Sequence, residues 1–277
     1  MLYATNSSGS HDPPGVALVT GACSGIGKGL AQGLAARGHA LIVVSQRPTE
    51  LAETARELAH TYGVATHAIV CDLARATAAE ELYAGVQAAG LTVDILVCNA
   101  GMFFFGEVAD ADVARAGALL QLHVVTPSLL CTLFGRELRA RRRGHILTVS
   151  SISAARDFPS IAYYGSSKKY LRGFTCALRS ELAVYGIGVT CLLPGATATA
   201  LYDPNVVPVG LAQRLGVMMD ATEVAEAGLR ALFAGEAECI PGRVNRLLVP
   251  LAARVPQRAI DFLRRHAPFL PPHGEPR

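Results

Sequence analysis

The chain has 277 residues, a length that suits one large α/β domain, and 51% of them are hydrophobic, so a sizeable buried core is possible. A formal net charge of +3 is small and gives no reason to expect a nucleic-acid partner. The seven cysteines are scattered, without a CxxC pair or metal-like spacing, which favours a reducing, cytoplasmic setting. Residues 1–13 are predicted to be a disordered tail rather than a signal peptide. No uninterrupted apolar stretch reaches the ~18 residues of a membrane-spanning helix.

The first predicted strand, 16–20, runs into Gly21-Ala22-Cys23-Ser24-Gly25-Ile26-Gly27, and a helix pattern then continues to Arg37, with Gly38 as its C-cap. Glycines let the backbone approach a pyrophosphate, and a helix N-terminus supplies free N–H groups. Strand, glycine-rich turn and helix therefore predict a phosphate site. The spacing Gly-x-x-x-Gly-x-Gly differs from the standard dinucleotide fingerprint, and a plain tight turn is the alternative.

The alternation of strand and helix continues along the chain. Further strands are predicted at 41–45, 64–71, 93–98, 145–150 and 188–193, and helices at 49–62 (with Thr49 near its N-cap), 76–89, 112–142 and 162–185. Pro127 predicts a kink or break in the long helix. Six β–α alternations without a strong linker predict a single-domain, doubly wound parallel sheet with helices on both faces. Ligands bind such sheets at the carboxyl ends of the strands, where Gly21, Asp72, Asn99, Ser151 and Pro194 all fall.

The pattern loosens after Gly195. Residues 200–217 are either a lid over a substrate or an ordinary connection, 222–233 is a helix capped by Thr222, and 239–242 is a last edge strand. Two apolar, basic helices at 244–254 and 257–265 pack on the core, form a subunit interface, or attach to a membrane surface. The predicted organisation is thus a tail at 1–13, one α/β domain at 14–242 and a helical extension at 243–277 with a proline-rich, disordered end.

Tyr164 and Lys168 stand four residues apart on a predicted helix, so their side chains share one face. A free phenol has a pKa near ~10 and is a poor acid or base at neutral pH, but a nearby ammonium lowers that pKa. A tyrosine tuned in this way can give a proton to a carbonyl oxygen or take one from an alcohol. Because Tyr-x-x-x-Lys also arises by chance on helix surfaces, the pair gains meaning only from other motifs.

Several motifs, found together and in order, resemble those of the short-chain dehydrogenase/reductases, a Rossmann-like family, over residues 14–235. Residues 20–27 are similar to the family's Thr-Gly-x-x-x-Gly-Ile-Gly cofactor turn, and Asn99-Ala100-Gly101 to its Asn-Ala-Gly. Ser151 lies thirteen residues before Tyr164, which is the family's usual spacing for its catalytic serine. Residues 194–199 resemble the Pro-Gly-x-x-x-Thr that grips the nicotinamide amide.

The resemblance implies hydride exchange between a nicotinamide and a carbonyl, with the protein handling the proton and the geometry. Tyr164 is then the general acid in ketone reduction, Lys168 holds the nicotinamide ribose hydroxyls, and Ser151 polarises the carbonyl oxygen. The implied cofactor contacts are Gly21, Ser24, Gly25, Ile26, Gly27, Arg47, Asp72, Leu73, Asn99, Tyr164, Lys168, Thr197 and Thr199, and no metal is implied. Asp72 would accept a hydrogen bond from the adenine amino group. The family also implies a homodimer or homotetramer, formed through the long helices after the fourth and fifth strands.

Cofactor choice depends on the end of the second strand, Ser45-Gln46-Arg47. No acid is present there to bind a ribose 2′-OH, and the guanidinium of Arg47 can pair with a 2′-phosphate, so NADPH is predicted over NAD. The high NADPH/NADP ratio of cells then favours reduction. Residues 102–105, Met-Phe-Phe-Phe, together with Phe158 and Ile161 near Tyr164, predict an apolar or aromatic small-molecule carbonyl substrate. The alternatives are a non-catalytic NADP-binding sensor or scaffold, and an NAD-dependent alcohol dehydrogenase working oxidatively.

His123 departs from the family pattern. Many members carry an asparagine at this position of the long helix, where a water-linked proton relay passes to the lysine. His123 either preserves that relay through its main-chain carbonyl, joins it directly because a histidine pKa lies near neutrality, or only packs. The sequence leaves the three readings open.

Overall fold

The computed structural model describes residues 14–197, 218–252 and 254–266. Within these ranges, parallel strands form one seven-stranded sheet in the order β3-β2-β1-β4-β5-β6-β7. The strands are β1 (Val16–Thr20), β2 (Ala40–Ser45), β3 (Thr66–Val70), β4 (Val93–Cys98), β5 (His145–Val149), β6 (Gly188–Leu192) and β7 (Glu238–Cys239). The predicted doubly wound sheet is confirmed. Strand order reverses between β1 and β4, which is where such sheets open a crevice for ligands.

Helices connect the strands and cover the sheet. They are α1 (Gly25–Ala35), α2 (Pro48–Tyr62), α3 (Ala78–Ala88), α4 (Val113–Leu120), α5 (Thr126–Arg141), α6 (Ala162–Ala183), α7 (Ala221–Phe233), α8 (Arg243–Ala252) and α9 (Gln257–His266). Short 3₁₀ turns lie at Val108–Asp110 and Ile152–Ala155. The predicted tail at 1–13, the segment 200–217 and the proline-rich end lie outside the described residues, and the proposed division into domains stays a prediction.

The core lies on both faces of the sheet, because successive side chains of a parallel strand point to opposite sides and both sides are covered. On one face, Val19 packs with Leu34 of α1 and Leu229 of α7. On the other face, Leu18 belongs to the cluster that includes Phe134 of α5. This double coverage is the reason that the central strands appear in the sequence as continuous apolar runs, whereas the edge strand β3 is mostly exposed.

Several helix boundaries differ from the prediction for local reasons. The cap of α7 is Asp220 rather than Thr222, since the Asp220 carboxylate accepts the Thr222 backbone N–H at 2.7 Å. Helix α2 begins at Pro48, one residue before the predicted start at Thr49, and a proline suits a first helical position because no intrahelical N–H is needed there. Helix α1 ends at Ala35, two residues before Arg37.

The predicted break at Pro127 takes a specific form. A π-helical turn, Gln121–Val125, joins α4 to α5, and Pro127 lies in the first turn of α5. Because proline has no N–H, it cannot donate to the carbonyl of His123 four residues earlier, and a wider turn accommodates the missing bond. The helical path therefore continues through Pro127, but His123 sits in a local widening of it.

The continuous helical stretch Val113–Arg141 is long and apolar enough to cross a membrane, judged by length and composition alone. Its second half, α5, nevertheless packs Leu130, Phe134 and Leu138 into the core against α3 and the sheet. The apolar composition of this stretch is that of a helix with its apolar face against a sheet.

Candidate active site

A cavity of about 670 Å³ opens at the carboxyl ends of the strands, a size typical of a small-molecule or cofactor site. The segments that follow β1, β2, β3, β4, β5 and β6 all contribute to its wall. The lining includes thirteen of the predicted site residues: Gly21, Ser24, Gly25, Ile26, Gly27, Arg47, Asp72, Leu73, Asn99, Ser151, Tyr164, Lys168 and Thr197. Thr199 lies outside the described residues. The structure thus brings together residues that are up to 176 positions apart in the sequence.

The glycine-rich turn after β1 forms a cradle with no room for side chains. Gly21 has a φ of +67°, and its N–H donates to the Val44 carbonyl at 2.8 Å. A Cβ on Gly27 would lie 2.1 Å from the Gly21 carbonyl oxygen, so only glycine fits there. Ser24 stands at the N-cap of α1 without a capping side-chain bond, which leaves the first N–H groups of the helix for a ligand. These features fit the pyrophosphate of a dinucleotide.

Asn99 holds this turn to β4. Its side-chain amide donates to the carbonyl oxygens of Thr20 at 2.9 Å and Gly21 at 3.3 Å. Thr20 completes the joint, because its hydroxyl accepts the backbone N–H groups of Asn99 (2.9 Å) and Ala100 (3.1 Å) and donates to the Val97 carbonyl. The predicted cofactor residue Asn99 therefore also positions the turn. The role of Thr20 was missed, although the threonine of the Thr-Gly motif was a usable signal.

Arg47 stands at the end of the cavity that follows β2. Its guanidinium donates to the Ser24 hydroxyl at 3.2 Å, so it reaches across to the glycine-rich turn. It also forms an ion pair of 2.5 Å with Glu50, one helical turn later on α2. The sequence prediction considered no acid near Arg47 and overlooked Glu50. A 2′-phosphate at this position would compete with that carboxylate for the guanidinium.

Asp72 follows β3 at the same end of the cavity. One of its carboxylate oxygens accepts the Ala74 N–H at 3.0 Å, which fixes the turn after the strand. The neighbouring Leu73 is buried, and its carbonyl accepts the Thr126 hydroxyl at 2.8 Å. Both residues keep their predicted places in the cavity wall, and the turn that carries them is anchored to α5.

Lys168 and Tyr164 meet as the helical spacing predicts. The Lys168 ammonium lies 5.7 Å from the centroid of the Tyr164 ring and donates to the Val149 carbonyl at 2.9 Å. Burial lowers the pKa of Lys168 from 10.5 to about 8, and the Cys191 thiol nearby acts weakly in the opposite direction. The Ser150 hydroxyl donates to the Lys168 carbonyl at 2.7 Å and so ties α6 to the end of β5.

Ser151 begins the 3₁₀ turn Ile152–Ala155. Its hydroxyl oxygen accepts the Ser153 N–H at 3.1 Å. An oxygen that already accepts one hydrogen bond can still donate its own proton, and the cavity lies in front of it. Ser151 is therefore placed to donate a hydrogen bond to an oxygen of a bound molecule.

His123 is buried and has a partner at each ring nitrogen. Nε2 accepts the Met102 backbone N–H at 3.0 Å, and Nδ1 lies 3.0 Å from the Ser167 hydroxyl. Because Ser167 donates its own proton to the Tyr164 carbonyl at 2.8 Å, its oxygen accepts from Nδ1–H. One neutral tautomer thus satisfies all three bonds. Burial lowers the pKa of His123 well below 6.5, and the charge of Lys168 lowers it further.

These bonds favour the third reading of His123. A ring with both nitrogens engaged and a depressed pKa is poorly suited to carry a proton, whereas it links Met102 after β4 to the helix that bears Tyr164. His123 therefore packs in the core and also holds the Met102 segment against the helix that carries Tyr164. Since Pro127 cannot donate to the His123 carbonyl, a relay through the main chain stays compatible with this arrangement.

Aromatic rings line the approach to Tyr164. Phe103 meets Tyr164 edge to face at 4.8 Å between centroids and meets Phe105 in the same manner at 4.6 Å. The Gly106 N–H donates to the Ser160 carbonyl at 2.9 Å, which joins this loop to the segment before α6. Phe105 and Phe158 are exposed. Phe103 and Phe105 therefore place apolar surface beside the tyrosine, Phe104 packs near Tyr163 instead, and Met102 is the member of the predicted apolar set that lines the cavity itself.

Comparison with known proteins gives the same picture. A family model described as short chain dehydrogenase matches residues 15–206. The human "Inactive hydroxysteroid dehydrogenase-like protein 1" is 35% identical over 202 residues, which cover 68% of this chain and 58% of that protein. The chain therefore spans little more than half the length of this relative.

Solved structures extend the likeness to the whole fold. A structure from work on 7beta-hydroxysteroid dehydrogenase stereoselectivity is 26% identical, with a TM-score of 0.82 over 90% of this chain and 96% of the other. A structure of a "Short-chain dehydrogenase from Sphingobium yanoikuyae in complex with NADPH" is 24% identical, with a TM-score of 0.76 over 95% of this chain and 98% of the other. The second likeness speaks for the fold alone.

Proposed function

Because the chain belongs to the short-chain dehydrogenase family, we propose that it is an NADPH-dependent reductase of ketone or aldehyde carbonyls on apolar or aromatic small molecules. One observation carries the proposal. Ser151, Tyr164 and Lys168 line the same cavity as the glycine-rich turn, so a bound dinucleotide and a carbonyl would meet at the tyrosine. The nicotinamide, when bound, supplies the hydride.

The proposed roles follow from the contacts of each side chain. Tyr164 donates its phenolic proton to the carbonyl oxygen as the carbonyl carbon receives a hydride, and the product is an alcohol. Ser151 donates a hydrogen bond to the same oxygen and stabilises the charge that develops on it. Lys168, whose ammonium donates to the Val149 carbonyl, would hold the ribose hydroxyls of a bound nicotinamide nucleotide, and it lies beside the tyrosine.

NADPH rather than NADH is proposed because of the charges after β2. Ser45 and Gln46 line the cavity where an acid would bind a ribose 2′-OH, and Arg47 reaches the glycine-rich turn. A guanidinium can form two parallel hydrogen bonds with a phosphate, which favours the phosphorylated cofactor. Glu50 reduces this preference for NADPH over NADH, because its carboxylate already forms an ion pair with Arg47.

A second candidate is a non-catalytic nicotinamide-binding protein, and the human relative named as inactive gives it a specific reason. Against it stand the serine, tyrosine and lysine that share the cavity wall in this chain. An NAD-dependent alcohol dehydrogenase working oxidatively is the third possibility, and it lacks support from the residues after β2.

The setting and assembly are part of the proposal. All seven cysteines are free and five of them are buried, which supports a reducing, cytoplasmic location. Exposed apolar side chains along α4 and α6, among them Leu120 and Tyr170, support a homodimer or homotetramer built on these helices.

The test is consumption of NADPH, followed by absorbance, with a panel of apolar ketones, quinones and aldehydes, and the same panel with NADH. Tyr164→Phe keeps the ring and removes the proton, so we expect turnover to fall by about 10²–10⁴-fold with NADPH binding retained. Tyr163→Phe, one residue earlier, is the matched control and should leave turnover near the wild-type level. Equal turnover in the Tyr164→Phe variant would reject the catalytic assignment. NADPH binding without turnover on any carbonyl would favour the non-catalytic candidate.

A further inference from the structure

Helix α8 carries an apolar stripe on its outer side. Val244, Leu247 and Leu251 follow one another at the spacing i, i+3, i+7, which places them on one helix face. They are 52%, 71% and 61% exposed. Three large apolar side chains in one row, each more than half exposed, form an organised patch rather than scattered surface residues.

The opposite face of α8 fixes this orientation. Val249 is buried, and the Asn245 amide donates to the Pro241 carbonyl at 3.1 Å. A Cβ on Gly195 would lie 2.4 Å from Asn245 Nδ2, so the helix packs closely on the loop after β6. It also packs on the 3₁₀ turn Ile152–Ala155. The inner face is thus committed to the protein body, and the apolar stripe is directed away from it.

Positive charge is concentrated in the sequence of α8 and the segment that follows it. Residues 243–266 contain six arginines and one aspartate, a formal charge of +5, whereas the whole chain carries only +3. Arg243, Arg246, Arg254 and Arg258 are exposed, and in the described part of the chain none of them forms an ion pair. Helix α8 therefore carries exposed apolar side chains and the exposed cations Arg243 and Arg246, and Arg254 follows two residues after its end.

We propose that the outer face of α8, with the arginines around it, docks on the surface of a bilayer that contains anionic phospholipids. Acyl chains accept the apolar stripe, and anionic headgroups accept the arginines, as in other amphipathic helices that lie in the interface plane. A second copy of the chain fits less well, because a two-fold contact brings the same arginine-rich surface to both sides of the interface, so that like charges approach each other. This inference is independent of the proposed reductase activity.

The experiment is co-sedimentation of the full chain with two kinds of vesicle. One is phosphatidylcholine alone, and the other is two parts phosphatidylcholine to one part phosphatidylserine. We expect binding to the mixed vesicles to be at least about tenfold tighter and to weaken as salt is added. Equal sedimentation with both kinds of vesicle, or with neither, overturns the proposal.

Two pairs of variants assign the binding to this surface. Leu247→Gln with Leu251→Gln should weaken binding to the mixed vesicles at least about tenfold, because both apolar contacts are lost. Val184→Gln, an exposed apolar residue after α6, is the control and should change nothing. Arg243→Gln with Arg246→Gln should reduce the preference for the anionic vesicles, and Arg56→Gln should not. Wild-type binding by either α8 variant overturns the assignment.

Insertion can be read directly, because the chain has no tryptophan. Leu247→Trp introduces a single fluorophore in the stripe, and its emission should shift to the blue and be quenched by brominated lipid when mixed vesicles are added. Val184→Trp should do neither. A dimeric mass that falls to that of a monomer in the Leu247→Gln, Leu251→Gln variant, without vesicle binding by the wild type, would assign the stripe to a second copy and reject the bilayer. An unchanged mass without vesicle binding rejects it equally.

Discussion

Replacing Lys168 with methionine should make the protein without cofactor more stable while abolishing turnover. Lys168 is buried, and its pKa of about 8 lies below the 10.5 of an exposed lysine. That difference corresponds to about 3 kcal/mol of unfavourable free energy for keeping the ammonium charged in the folded protein at neutral pH. Methionine has a similar length and no charge, so it removes this penalty.

The loss of one hydrogen bond offsets part of the gain. Without the ammonium, the Val149 carbonyl loses its donor, which costs about 1 kcal/mol. The net expectation is therefore a rise of about 2 kcal/mol in the free energy of unfolding at neutral pH. Urea unfolding in the absence of nucleotide measures it. Lys169→Met, which removes an exposed lysine paired with Asp157, is the matched control and should change stability little.

The pH dependence gives the sharper test. Between pH 8 and 10.5 the unfolded chain holds a proton on Lys168 that the folded protein has released, so the wild-type free energy of unfolding should rise with pH in this window. The stability advantage of Lys168→Met over the wild type should therefore shrink through zero as pH rises and end as a deficit of about 1 kcal/mol, which is the loss of the hydrogen bond alone. A variant that is less stable than the wild type at neutral pH, or a difference that stays constant through the window, refutes the argument from burial.

His123→Leu should lower the free energy of unfolding by about 1–3 kcal/mol, because the half-buried Met102 N–H loses its acceptor. Unchanged stability in urea unfolding would contradict this. Wild-type stability should also fall as pH drops below 6.5, where the unfolded chain binds a proton that buried His123 refuses, and the difference from His123→Leu should carry that slope. Glu50→Gln should raise the preference for NADPH over NADH by about tenfold or less, because it frees the Arg47 guanidinium. The ratio of kcat/KM values for the two cofactors measures the effect, with Glu53→Gln as control, and an unchanged or lower ratio for Glu50→Gln would count against a 2′-phosphate at Arg47.

The sheet could be predicted because its signal is local and redundant. Strands buried on both faces appear as short apolar runs. A glycine-rich turn between such a run and a helix pattern is typical of the first strand of a parallel, nucleotide-binding sheet. The exact ends of the helices were harder to predict from the sequence. Asp220 and Thr222 are both good capping residues, and only the backbone path shows that the Asp220 carboxylate reaches the Thr222 N–H.

The parts of the site that depend on spacing along one element, such as Tyr164 and Lys168, could be predicted from the sequence. The parts that depend on contacts between two segments could not. The Nδ1–H tautomer of His123 depends on Met102 and Ser167, which lie on different segments, and no pattern within the long helix contains them. Glu50 was visible in the sequence, but its ion pair with Arg47 follows only once the helix is known to begin at Pro48.

The Thr20 hydroxyl joins two parts of the chain that the ribosome synthesises at well-separated times. It ties the end of β1 to residues 79 and 80 positions later, and the Asn99 amide returns the connection to the glycine-rich turn. A nascent chain that has been synthesised only as far as α3 contains the glycine-rich turn but not Asn99 and Ala100, whose hydrogen bonds to Thr20 hold that turn in place. On the proposed function, nucleotide affinity would therefore report folding order, because a chain in which β4 has not yet docked beside β1 should bind nucleotide weakly.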